Sequence, residues 1–286
     1  MIERRPFEKL GKSDHGWLKA NFHFSFADYR NNDRVHWGAL RVWNNDRIAP
    51  QSGFPPHPHR DMEIVTYVIK GAITHKDHLG NEGRTEAGQI QVMSAGKGIQ
   101  HAEYNMEQDE TELFQIWILP NKEGVPARWE TVQFPADARD GKLVPLASGR
   151  GHQGAIPLYA DGALFAGKLK AGETIRQKLD GKPAYLVPAK GKIEVLGSDG
   201  KPVTANARDG VAVIDEPEIT LKASEDAEIV LVETDKLNAP DRHAAVFQLD
   251  VPLTQLKPGF YTCQVNVIDD TRGNFLFPRL ALLVRP

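Results

Sequence analysis

Glycine or proline interrupts this chain every few positions, 25 Gly and 19 Pro among 286 residues. Between the interruptions stand short runs rich in Val, Ile, Tyr, Phe and Thr, such as EIVTYVI, QIQVM, FQIWIL, AYLVPA and EIVLVE. Many short β-branched and aromatic runs separated by turn residues specify an all-β sandwich or barrel. Hairpin signals agree, at HLGNEG (78–83) and at GSDGK (197–201), where Asp199 and Gly200 suit a primed two-residue turn. Helical periodicity is weak throughout; only PARWETV, at 126–132, is read as a turn of helix.

The runs fall into three blocks, which we expect at residues 1–125, 126–237 and 238–286. In the second block AKGKIEVLGSDGKPV and ARDGVAVIDEPEITLKA are spaced much as GAITHKDHLGNEG and EAGQIQVMSAGKG are in the first. That repeat predicts a duplicated barrel. The third block follows the polar stretch TDKLNAPDRHA, with strands expected at about 246–251, after the Lys257-Pro258-Gly259 turn, and after DDTRGN. Its phrase LKPGFYTCQVNVID resembles the closing hairpin of an immunoglobulin-like module, yet about 45 residues is under half of the ~100 such a sandwich needs. A lone small sheet is marginal, so this β extension is expected to dock on the second barrel or on a partner subunit.

Composition removes several classes of function. A formal charge of -3 provides no broad cationic field, and no long basic run marks a nucleic-acid-binding arm, so direct DNA or RNA binding is not expected. The opening MIERRPFEKLGKSDHGW lacks the apolar core of a secretory signal. No apolar stretch approaches the ~18 residues of a membrane-spanning helix, so the expectation is a cytoplasmic protein that does not enter membranes. Cys263 is the single cysteine, which excludes disulfide frameworks and thiolate-rich metal sites; its strand-like surroundings in YTCQVNV mark it as a packed thiol. Metal chemistry must then rest on imidazole and carboxylate, and ten histidines are available.

In GFPPHPHRDMEIVTYVIKG, His57 and His59 are two apart, and side chains at i and i+2 of a strand share a face. The run GQIQVMSAGKGIQHAEYN repeats the arrangement with His101 and Glu103. Two strands that each offer two inward ligands can surround one ion in a barrel lumen. Three imidazoles and a carboxylate suit iron, zinc, copper, nickel, manganese or cobalt better than calcium or magnesium. Redox-capable iron is the first choice, because an octahedral shell leaves two positions for water, substrate or dioxygen, whereas tetrahedral zinc would be closed and structural. Glu63 has the parity of His57 and His59 and is read as an acceptor for an imidazole N–H. Phe54, Tyr67 and Phe114 are candidates for an apolar pocket wall. His75 and His78 are read as polar strand or turn residues, His152 and His243 as exposed; sequence does not place His15, His23 or His36.

These pairs resemble the two cupin motifs. The first, roughly G-x5-H-x-H-x3,4-E-x6-G, is met by Gly53, His57, His59, Glu63 and Gly71 with small changes in the gaps. The second, roughly G-x5-P-x-G-x2-H-x3-N, is met by Gly88, Gly96, His101 and Asn105, with two extra residues before His101 and Ser94 replacing the proline. HGWLKANFHFSFADY, FPPHPHRDMEIVTYVIKG and VMSAGKGIQHAEYN, in that order, resemble the signature of the pirin family over about residues 10–235. The resemblance implies a bicupin, two double-stranded β-helix (jelly-roll) barrels, with a metal in the first and none in the second. It implies that His57, His59, His101 and Glu103 hold that metal. Two uses are implied. Bacterial members resemble quercetin 2,3-dioxygenases, which open a flavonol ring with dioxygen and release carbon monoxide, so the substrates would be a small aromatic enol and O2 with Glu103 as general base. Animal pirin is an iron-dependent, redox-sensitive partner of transcription-related proteins, a regulatory reading with a protein partner. A third reading makes the metal a structural staple only. The extension after about residue 240 departs from the family pattern.

Overall fold

A computed structural model describes residues 1–135 and 137–237 with their side chains, and the backbone of four strands between 259 and 284. The chain opens with β1 (Ile2–Arg5), β2 (Gly11–Asp14), β3 (Leu18–Phe22), β4 (Leu40–Ile48), β5 (Ser52–His59) and β6 (Glu63–Lys70). Next come β7 (Ala72–Asp77), β8 (Glu82–Glu86), β9 (Ile90–Ser94), β10 (Ile99–Asn105), β11 (Thr111–Ile118) and β12 (Arg128–Val132). The second half supplies β13 (Leu143–Ser148), β14 (Ile156–Pro157), β15 (Gly162–Leu169), β16 (Thr174–Lys178) and β17 (Ala184–Lys190). It continues with β18 (Lys192–Leu196), β19 (Pro202–Asn206), β20 (Gly210–Val213), β21 (Glu218–Ala223) and β22 (Ala227–Thr234).

Each half builds a large and a small sheet around a lumen, antiparallel throughout except where β13 pairs with β14 in parallel. In the first barrel the order β12-β9-β6-β11-β4-β3-β2 packs on β5-β10-β7-β8; in the second, β1-β20-β17-β22-β15-β13-β14 packs on β16-β21-β18-β19. The expected all-β pair of barrels is therefore present. Two edges depart from the expected boundaries. β1 belongs to the second barrel, pairing Ile2 with Val213 through Arg5 with Gly210. β12, placed by sequence in the second block as a turn of helix, is instead a strand of the first, pairing Arg128 with Ser94 through Val132 with Ile90. An open sheet edge leaves a row of N–H and C=O groups without partners, and here that demand overrides the local pattern.

Alternation along the strands divides two cores. On β6 and β11 the side chains of Val65, Tyr67, Phe114, Ile116 and Ile118 join Trp43, Leu146, Tyr185, Val187 and Val230 in one apolar layer shared by both barrels. The opposite face of the same strands, with Val68 and Leu113, turns into the first lumen beside Leu18, Phe22, Ile48 and Ile73. The second lumen is filled by Phe165, Leu186, Ile193, Val195, Val211, Ile219, Leu221 and Leu231. At ~1.5–3 kcal/mol for each large apolar side chain removed from water, the shared layer is a major source of stability and ties the barrels together. Residues Met1–Leu237 accordingly form one compact unit and Asn238–Pro286 another.

In the second unit β23 (Gly259–Gln264) pairs with β26 (Arg279–Val284), and β24 (Val267–Asp269) with β25 (Asn274–Leu276). Strands thus follow both expected turns, and Cys263 lies in β23. The strand expected at 246–251, His243 and the side chain of Cys263 lie outside the described residues. Among the described residues no helix is long and apolar enough to cross a membrane.

Candidate metal centre

β5 and β10 run antiparallel with His57 opposite His101, and a bulge between His101 and Glu103 brings Glu103 opposite Phe54. Gly53 makes this pairing possible: a Cβ there would overlap the Glu103 carbonyl and crowd the Tyr104 Cα, so only glycine lets the strands approach. The rings of His57, His59 and His101 cluster, with centroids 4.4 Å apart for His57 and His101, 4.9 Å for His57 and His59, and 5.0 Å for His59 and His101. One ligand nitrogen from each lies within 4.8 Å of the others. His57 Nδ1 donates to the Pro55 carbonyl at 2.8 Å, which leaves its Nε2 lone pair free. His101 is 2 % exposed, and its Nε2 has no partner among the described residues. A buried orphan nitrogen beside two further imidazoles fits a transition metal.

Glu103 stands in a second, overlapping group, with His75 and His101. Its Oε2 accepts from Gln115 Nε2 at 2.6 Å, and its Oε1 from Gln91 Nε2 and from Thr66 Oγ1. The four expected ligands thus share one lumen, but at this spacing Glu103 groups with His101 and not with His57 or His59. Burial pushes the Glu103 carboxyl up to about 7, against the pull of its three donors. Burial and then the neighbouring imidazoles hold His101 down at about 2; burial and then His57 hold His59 at about 4. Both rings are therefore neutral, the state that ligates, at ordinary pH.

The trio faces a pocket of about 480 Å³. Trp17, Phe22, Phe26, Phe54 and Trp117 form aromatic walls, with Asn44, Asp46 and Gln115 among the polar residues that line it. Burial, then the nearby Glu103, raises the Asp46 carboxyl to about 8. Phe54 lines the pocket. Tyr67 and Phe114 do not: both are 0 % exposed in the layer between the barrels, because Thr66 and Gln115 take the inward positions on β6 and β11. Glu63 also differs from expectation. Its Oε2 accepts from Ser94 Oγ at 2.8 Å and from the Tyr159 N–H at 3.1 Å, and among the described residues no imidazole bonds to it. The turn at 60–62 ends β5, so parity does not carry into β6.

His75, set aside by the sequence reading, is fully buried beside His101, bonded to Asp77 and stacked on Trp129 at 4.7 Å. The same i, i+2 spacing that flags His57 and His59 is present in His75 and Asp77. Thr66, Gln91 and Gln115 were also missed; a lone polar residue at an inward position of an apolar run is the available signal. His15 lines the pocket, His78 Nδ1 accepts from the Gln100 N–H, His23 lies in the interior, and His36 and His152 are exposed.

Comparison with known proteins agrees with this architecture. The family model described as Pirin matches residues 3–118, and that described as Quercetinase C-terminal cupin domain matches residues 145–234. A pirin-like protein of Caulobacter vibrioides is 56 % identical over 235 residues, 82 % of this chain and 99 % of that protein. The quercetin 2,3-dioxygenase of Escherichia coli K12 is 38 % identical over 233 residues, 81 % of this chain and 97 % of that protein. The crystal structure of the Escherichia coli bacterial pirin YhhW in complex with nickel(II) superposes with a TM-score of 0.77 at 33 % identity, covering 83 % of this chain and 100 % of that one. With both barrels matched in order and relatives aligned almost end to end, this chain belongs to the pirin family.

Proposed function

We propose that the protein is a metal-dependent dioxygenase that cleaves a flavonol-like substrate of the quercetin type with O2. The observation that carries this reading is the trio His57, His59 and His101 at an aromatic-walled pocket of about 480 Å³, a volume suited to a small planar ligand. The three imidazoles would hold one divalent transition metal, with Glu103 as the carboxylate donor. Iron is the first choice, and nickel, copper, manganese, cobalt and zinc are compatible with the same donors. Such an ion would supply a Lewis-acidic position for an enol oxygen and redox capacity toward dioxygen.

The remaining work falls to the protein. The aromatic walls of Trp17, Phe54 and Trp117 would bound a flat ring system and exclude water, while Asn44 and Gln115 would orient its hydroxyl groups. Where Glu103 loosens from the metal, its carboxylate, whose affinity for protons burial raises to about 7 in the metal-free protein, would take the enol proton as general base. Removing that proton raises the electron density of the ring for attack by dioxygen. The test is incubation of iron-, nickel-, copper-, manganese-, cobalt- and zinc-loaded protein with quercetin in air. Loss of the visible flavonol band with one carbon monoxide released per ring opened is expected with at least one metal. No turnover with any of the six would defeat the proposal.

A further inference from the structure

Behind His101, on the side away from the pocket, lies a buried chain of hydrogen bonds: Asp77, His75, His101. His75 Nε2 is 3.0 Å from Asp77 Oδ2, and His75 Nδ1 is 3.3 Å from His101 Nδ1. His75 is 0 % exposed and lies flat on the Trp129 indole, at an interplanar angle of 7°. We infer that Asp77 and His75 are positioning residues that fix the tautomer of His101, so that its Nε2 presents a bare lone pair to the metal. The inference rests on the reading of His101 as a metal ligand.

The direction of each bond follows from its partners. Asp77 Oδ1 accepts from the backbone N–H groups of Leu79 at 2.9 Å and Asn81 at 3.1 Å. Its Oδ2 accepts from Asn81 Nδ2 at 2.9 Å and faces His75 Nε2. A carboxylate only accepts, so His75 Nε2 carries a proton and, in the neutral ring, His75 Nδ1 is bare. His75 Nδ1 must then accept from His101, whose own proton sits on Nδ1. That leaves His101 Nε2 bare, and it is the buried nitrogen without a partner. Carboxylates behind metal-bound imidazoles commonly act in this way; here a second imidazole is interposed.

Asp77→Asn should reverse the whole chain. Two backbone donors hold the Oδ1 position, so the carbonyl oxygen of the new amide must stay there and its NH2 must face His75, with the Asn81 side-chain amide, which donates to Oδ2 in the wild type, turned over so that its oxygen accepts from that NH2. His75 Nε2 would become the acceptor, its Nδ1 the donor, and His101 Nδ1 an acceptor. His101 Nε2 would then carry a proton where a lone pair is required, although no ligand has been altered.

The experiment uses full-length protein labelled with 15N in histidine. In the metal-free wild type the 15N spectrum should show His101 Nε2 unprotonated; in Asp77→Asn it should show a protonated Nε2. Nickel(II) titration should weaken by about 10–100-fold in the variant, and the melting temperature of the metal-free variant shows whether the fold is kept. A protonated His101 Nε2 in the wild type overturns the inference even if Asp77→Asn does not fold. His57→Ala separates the two readings. If it leaves nickel affinity unchanged, the metal centre itself is wrong; if it abolishes binding while Asp77→Asn keeps both the affinity and the bare Nε2, only the tautomer chain is wrong.

Discussion

Asp46 follows Asn44 by two residues on β4 and shares its inward face, opposite Leu113 and Gln115 of β11. Its Oδ1 is buried without a partner among the described residues, and its carboxyl is raised to about 8, chiefly by burial. An unfolded aspartate releases its proton near 3.9. Across the interval between the two values the folded protein holds a proton that the unfolded chain gives up, so stability falls as pH rises. The loss is about 1.4 kcal/mol per pH unit at most. Asp46→Asn keeps the shape and removes the titration. The metal-free variant should be more stable than wild type at pH 7.5, by roughly 2–4 kcal/mol, with the gap closing toward pH 4. Urea unfolding at both values checks this, and a gap that does not change with pH would refute it. That His57 and His59 share a face was legible from spacing, because i, i+2 parity holds within one strand, and the same parity pairs His101 with Glu103 on β10. The environment of Asp46 was not, because it depends on β4 and β10 meeting across the lumen.

A strand pair rather than a single residue sets the geometry of the candidate metal centre. β5 brings two imidazoles, β10 brings the third, and their separation depends on the absent Cβ of Gly53. Gly96 acts similarly just before β10, with φ +42° and a Cβ that would overlap the Val125 carbonyl. One glycine of each motif is thus a spacing element. Gly53→Ala should push β5 away from β10 and carry His57 out of register with His101. Nickel(II) affinity should fall at least tenfold, while the metal-free melting temperature drops by only a few degrees, since β5 is an edge strand with mostly half-exposed side chains. Unaltered nickel affinity would show that the close approach is not needed. The strands themselves were readable from β-branched runs and turn residues. What sequence could not show was which sheet an edge strand joins: β1 and β12 are short and locally ambiguous, and each is captured by an open edge of a sheet in the other half.

The two barrels fold as one body because the layer between them is apolar on both sides and is pinned by buried polar groups. Tyr67 of the first barrel donates to Glu228 of the second, and Arg139 Nη1, from the connection, donates to Tyr67 Oη at 2.6 Å. In the same layer His23 Nδ1 meets Tyr185 Oη at 2.9 Å, and His23 Nε2 has no partner. Burial, then the charges of Arg5 and Arg34, hold His23 down at about 3, far below the 6.5 of a free imidazole. The sign follows from the protons bound. Below pH 6.5 the unfolded chain takes up a proton at this position while the folded protein does not, so stability falls as pH drops from about 6.5 toward 3. One such group costs at most about 1.4 kcal/mol per pH unit. His59 and His101 add to the same acid slope in metal-free protein, so a comparison of variants is needed to isolate His23. His23→Gln keeps a partner for Tyr185 and cannot titrate. Urea unfolding of metal-free wild type and His23→Gln at pH 7.5 and 4.5 should give curves that diverge, with the variant gaining on the order of 1–2 kcal/mol relative to wild type at the lower pH. Since His23 lies in the layer shared by both barrels, probes in either barrel should report the same midpoint at each pH. Parallel pH dependence in the two proteins would mean that His23 is reached by protons in the folded state, and separate midpoints would mean that the shared layer does not couple the barrels.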